Sequence, residues 1–129
     1  MDMTKVKALS KKYETDMAQF LRDIIAIPSE SCKEKEVVHR IAEEMRKCGF
    51  DEVKFDKLGN VLGRMGSGKT VIMYDAHIDV VGVGDPASWK RDPWKGEFKD
   101  GKIWGRGAVD EKPAMSCMKI GRASCRERV

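Results

Sequence analysis

Apolar residues recur at helical spacing between positions 4 and 26. Val6, Leu9, Tyr13, Met17, Phe20, Leu21, Ile24 and Ile25 share one face, which predicts a helix buried along one side. Pro28 disfavours helix at the residue before it and closes the segment. Ser31 then opens S-x-x-E with Glu34, the spacing of a capping box. A second helix follows, with Val37, Val38, Ile41, Met45 and Cys48 on one side and Gly49 as its stop. Beyond it the period shortens. EVKF and VLGRM predict two short strands joined through Gly59-Asn60, and GSG makes another turn. TVIMYDAHIDVV is so rich in β-branched and apolar residues that it predicts a buried strand. A polar loop, GVGDPASWKRDPW, comes next. GEF and KIW then flank Lys99-Asp100-Gly101, a hairpin signal. GRGAVDEKPAMSCM leads toward a further helix. With no repeat and no linker, the pattern describes one α/β unit: two N-terminal helices, a mixed sheet and the start of another helix.

Composition narrows the class. The chain has 129 residues, 41% apolar and 36% charged, the balance of one ordinary globular domain. No apolar run approaches the roughly 20 residues that span a bilayer, and the first residues lack the apolar core of a signal peptide. The expectation is a cytoplasmic protein with no membrane partner. A net charge of +4 is mild, and stretches such as KEKEVVHRIAEEMRK interleave both signs. That is the pattern of a solvated helix face and excludes a nucleic-acid stripe. Cys32, Cys48, Cys117 and Cys125 form no C-x-x-C pair, so free thiols in a reducing compartment are expected.

The candidate chemistry starts at His77-Ile78-Asp79, near the end of the apolar strand. Neutral imidazole is a good zinc ligand, and a carboxylate on its other nitrogen orients the ring. Period two puts His77 and Asp79 on one side of an extended chain. Alone, H-x-D is a weak signal and more often describes a partly buried histidine beside a hydrogen-bonded acid. Asp110 adds a second motif. It follows the glycine-rich GRGAV turn, where a fixed carboxylate can bind two cations through separate oxygens. His39, the other histidine, lies on the polar flank of the second helix and is expected to be solvated. A competing motif runs from Gly63 to Thr70. It fits G-x-x-x-x-G-K-[ST], with Lys69 as the P-loop lysine, and would imply nucleotide binding. That mechanism needs a helix directly after Lys69-Thr70, where the apolar pattern predicts a strand.

Several stretches in order resemble the acetylornithine deacetylase, succinyl-diaminopimelate desuccinylase and carboxypeptidase-G2 family of dizinc amidohydrolases and exopeptidases. IPSESCKEKEVVHRIAEEM resembles the family's entry into a helix. GKTVIMYDAHIDVVGVGD and WKRDPWKGEFKDGKIWGRGAVDEKPAM resemble its W-x-x-x-P-F, D-G-x-hydrophobic-x-G-R-G and D-x-K patterns. The wording YDAHIDVVGVGDPASW is most similar to the branch of hydrolases linked to selenium metabolism. The resemblance implies two zinc ions, with cobalt as a substitute. His77 would ligate one zinc, Asp110 would bridge both, and Asp79 would act as a catalytic residue by orienting His77. It also implies a small N-acyl amino acid or peptide substrate and a homodimer formed through a second domain.

Family members carry a Glu-Glu pair, whose first member is the general base, and a further acid and a distant histidine. Glu111 follows Asp110 but does not occupy the Glu-Glu position. Residues 1–119 are therefore expected to be the N-terminal part of a zinc-peptidase catalytic domain, inactive by itself. A noncatalytic zinc-binding or interaction fragment is the other reading. IGRASCRERV, residues 120–129, has no helical apolar face and resembles a translated sequencing adapter. It is expected to be an artefactual tail, the alternative being a basic tail that contacts an acidic partner.

Overall fold

The computed structural model describes residues 2–118. The first helix, α1 (Met3–Ile25), begins where Asp2 accepts the Thr4 N–H at 2.9 Å. This satisfies one of the donors that a helix N-terminus leaves free. Its predicted face is buried at Leu9, Phe20, Leu21, Ile24 and Ile25. The second helix, α2 (Lys35–Lys47), buries Val37, Val38, Ile41 and Ala42, and Gly49 turns the chain away with φ 72°. Arg40 links the two helices. Its guanidinium bonds Asp23 at 2.8 Å and Glu44 at 2.7 Å, and lies over the Phe20 ring. The core sits between these helices and residues 112–118, which are also helical and contribute Met115.

Strands β1 (Glu52–Phe55) and β2 (Val61–Arg64) pair antiparallel, with Glu52 opposite Arg64 and Phe55 opposite Val61. The turn between them is held by Asp56, which accepts the Leu58 and Asn60 N–H groups and the Asn60 side-chain amide. Strands β3 (Glu97–Lys99) and β4 (Lys102–Trp104) form the predicted second hairpin. Asp100 and Gly101 take φ 54° and 72°, the left-handed pair that a two-residue hairpin turn requires. The α/β character therefore stands as predicted.

Three local expectations differ. The sheet expected to be mixed is, among the described residues, two separate antiparallel pairs. The strand expected at residues 70–81 carries no ladder among the described residues, because a strand is defined by its partners and no described strand lies beside it. Its first half is exposed: Val71, Ile72, Met73 and Tyr74 are 73–84% accessible. Ser31 does not cap α2. The N-cap is Glu34, without a side-chain cap bond, and Glu34 instead accepts the Cys32 N–H at 2.8 Å. A tight turn intervenes, closed by Lys33 N–H to Glu30 C=O at 2.8 Å with Cys32 at φ 69°, and it carries Ser31 away from the helix. The residues expected to be an adapter-derived tail, 120–129, lie outside the described residues. No described helix is long and apolar enough to cross a membrane.

Candidate metal centre

Residues 76–80 keep the period of a strand without the ladder. Ala76 and Ile78 pack against the core cluster and Val80 is buried. His77 and Asp79 therefore emerge together on the other side, as alternation requires. The segment is held by the connector that follows α1. Val80 N–H donates to the Ser29 carbonyl at 2.8 Å, and the Ser29 hydroxyl donates to the Ile78 carbonyl at 2.8 Å. The Ser31 hydroxyl reaches Asp79 Oδ2 at 2.6 Å.

Asp110 approaches from the other motif, and two features bring it there. Gly107, at φ 77°, passes so close to the H-x-D segment that a Cβ would lie 2.7 Å from Val80 Cγ1; only glycine combines that φ with that approach. Lys112 then fastens the turn. Its side chain is fully buried, and Nζ donates to the Ile24 carbonyl at 2.6 Å and the Ile27 carbonyl at 3.1 Å. The Ile24 carbonyl is one of those a helix C-terminus leaves unpaired, so the ammonium completes the end of α1. Burial pulls the Lys112 pKa down to about 8. One short stretch, residues 24–31, thus anchors both halves of the site.

The halves meet at His77. Its Nε2 lies 3.0 Å from Asp110 Oδ1, while Nδ1 faces the Asp79 carbonyl at 3.2 Å and Asp79 Oδ1 at 3.3 Å. Desolvation lowers the His77 pKa, but the hydrogen bonds to Asp110 and to the Asp79 carbonyl, with the charges of Asp110 and Glu111, outweigh it and leave the value raised. The Ser31 hydrogen bond, helped by His77, holds the Asp79 carboxyl below its usual range.

The donor set suits zinc. Imidazole and carboxylate are its ordinary nitrogen and oxygen ligands, and two ligands at about 2.1 Å in a tetrahedral shell stand roughly 3.4 Å apart, a few tenths of an ångström beyond the 3.0 Å Nε2–Oδ1 separation here. Donor atoms of His77, Asp110 and Glu111 all lie within 4.8 Å of one another. The three residues are not closed off. Asp110 is 85% exposed at its side chain, and His77, Asp79, Arg106 and Asp110 line an open hollow of about 330 Å³. A site with so few protein donors and this opening has room for further ligands.

Of the residues singled out in the sequence, His77, Asp79 and Asp110 converge. His39 does not join them; its ring lies against Phe55 with centroids 5.1 Å apart. Lys69 follows β2 in non-helical chain, and residues 71–81 form no helix, so the helix N-terminus that a P-loop needs is lacking there. Ser31 and Lys112 were not foreseen as parts of the site. The only sequence signal for either was its place inside the IPSES and D-E-K stretches.

Residues 73–119 match the family described as peptidase family M20/M25/M40. The uncharacterized protein YgeY of Escherichia coli (strain K12) is 53% identical over 109 residues, covering 84% of this chain and 27% of that protein. A succinyl-diaminopimelate desuccinylase of Cereibacter sphaeroides (strain ATCC 17029 / ATH 2.4.9) is 37% identical over 106 residues, covering 78% and 28% respectively. The desuccinylase of Acinetobacter baylyi (strain ATCC 33305 / BD413 / ADP1) is 31% identical over 108 residues, covering 82% and 29%. The chain thus spans little more than a quarter of the length of the curated relatives it matches.

Proposed function

From a chain that belongs, through residues 73–119, to peptidase family M20/M25/M40, we propose that the parent protein hydrolyses amide or peptide bonds with the help of bound zinc. This segment would supply part of the metal site and be inactive alone. The observation that carries the reading is the meeting of His77 Nε2 and Asp110 Oδ1 at 3.0 Å, across 33 residues of sequence.

In this reading His77 and Asp110 hold the metal, with the free oxygen of Asp110 available to a second ion. Asp79 takes the Nδ1 side of the ring and leaves Nε2 for the metal. When bound, zinc or cobalt would polarise the scissile carbonyl and provide a water acidified toward neutral pH. The general base is assigned to the Glu-Glu pair that the resemblance puts farther along the parent chain. The names of the desuccinylase relatives support a small N-acyl amino acid as substrate, with short peptides as the other class. A homodimer through a second domain, and a cytoplasmic location, belong to the same proposal.

The test is hydrolysis of N-acyl amino acids and dipeptides with added zinc or cobalt, by this chain and by the full-length parent. Turnover is expected from the parent and is expected to vanish in Asp110→Ala; this chain should show none. Turnover by the 129-residue chain that disappears in Asp110→Ala would contradict its assigned inactivity. A parent whose turnover is indifferent to Asp110 would contradict the site.

A further inference from the structure

Ser31 stands in an unusual place for a residue that opens S-x-x-E. The turn from Glu30 to Lys33 puts Cys32 at φ 69°, a conformation that costs a side-chain-bearing residue energy and persists where the surroundings impose it. Its effect is to carry the Ser31 hydroxyl away from α2 and onto Asp79 Oδ2 at 2.6 Å, 48 residues along the chain. The other oxygen, Oδ1, faces His77 Nδ1 at 3.3 Å. The backbone on either side is fixed by Ser29, through the Ile78 carbonyl and the Val80 N–H. The Asp79 side chain is 40% exposed, so packing alone does not lock its rotamer.

We infer that Ser31 is a positioning residue: its hydroxyl holds the Asp79 carboxylate against His77 Nδ1, and so leaves Nε2 as the nitrogen offered to a metal. The role of Nε2 rests on the zinc reading above; the control of the ring does not. The Asp79 backbone carbonyl also faces Nδ1, at 3.2 Å, but a neutral acceptor holds a proton less strongly than a carboxylate. Because Nε2 faces Asp110 in turn, the neutral ring divides between two tautomers. Their ratio reports how firmly Asp79 is held.

The experiment reads that ratio directly. The chain has two histidines, so long-range ¹H–¹⁵N spectra of the metal-free protein, with His39→Gln for assignment, isolate His77 above its titration. Ser31→Ala should lower the ratio of the Nδ1-protonated to the Nε2-protonated tautomer by about fivefold, the size expected for one hydrogen bond lost. Ser31→Thr, which keeps the hydroxyl, should restore it. Circular dichroism and thermal melting establish that both variants are folded. An unchanged ratio in folded Ser31→Ala overturns the inference, whatever the metal does. Cobalt(II) binding, followed by its visible absorption, gives the second readout. Ser31→Ala should bind about tenfold more weakly, as for outer partners of metal ligands, with Ser31→Thr near the unsubstituted chain. If the tautomer shifts but the unsubstituted chain binds no cobalt, the zinc reading fails and the positioning role stands.

Discussion

The buried ammonium of Lys112 spends both its hydrogen bonds on carbonyls at and beyond the end of α1. Replacing it by methionine keeps the volume but removes the donor, leaving two carbonyls unserved. Lys112→Met should therefore cost about 1–3 kcal/mol, read as a lower urea midpoint. It should also weaken metal binding, because the turn that carries Asp110 loses its anchor. Equal stability would mean that the lysine is not a tether. Gly107 makes a related case. An alanine there would adopt φ 77° with its Cβ 2.7 Å from Val80 Cγ1. Gly107→Ala should destabilise the fold by about 2 kcal/mol or more; a Tm equal to that of the unsubstituted chain would contradict the close approach. His77, Asp79 and Asp110 stood out in the sequence because H-x-D and the glycine-rich stretch before Asp110 resemble a metal-dependent family; H-x-D alone did not single them out. Ser31 and Lys112 could not, since their partners lie 48 and 88 residues away and serine and lysine have many ordinary uses.

The elements themselves separate into those with local causes and those without. Helices α1 and α2 follow from a one-sided apolar period, and the β3–β4 hairpin from Asp100-Gly101. Both signals lie within a few residues, so the sequence was sufficient for them. Residues 70–81 have the composition of a strand, but a ladder needs a neighbour, and composition cannot specify one. Likewise, S-x-x-E was a sound capping signal until the left-handed Cys32 redirected Ser31. The β1–β2 hairpin offers a test at this scale. Its turn is organised by the Asp56 carboxylate, whose pKa is lowered chiefly by the Asn60 side chain and further by backbone N–H groups. A carboxylate lowered on folding stabilises fully above the unfolded value, about 3.9, and loses that effect as pH falls through the folded one. The Asn60 amide signals should therefore titrate with a midpoint below about 3.9. A midpoint at or above it would mean the turn bonds are not formed in solution.

Across the whole molecule, the two helices and residues 112–118 share a core, while the extended run at Val71, Ile72, Met73 and Tyr74 is left in solvent. An apolar run with no ladder partner among the described residues is a site for pairing between chains. The 129-residue chain should therefore self-associate, with light scattering that rises with concentration. Ile72→Lys combined with Tyr74→Lys should reduce it. A monodisperse monomer with a sharp thermal transition would contradict that expectation. Residues 24–31 hold both the H-x-D segment and the Asp110 turn, so two motifs far apart in sequence become one cluster.

Zinc titration by calorimetry tests that cluster most directly, using the chain beside His77→Gln and Asp110→Asn. The prediction is weak binding, far from saturation at stoichiometric zinc, and abolished by either substitution. Binding undiminished in both variants would contradict the assignment of His77 and Asp110. Tight stoichiometric binding would contradict the claim that this segment holds only part of a metal site.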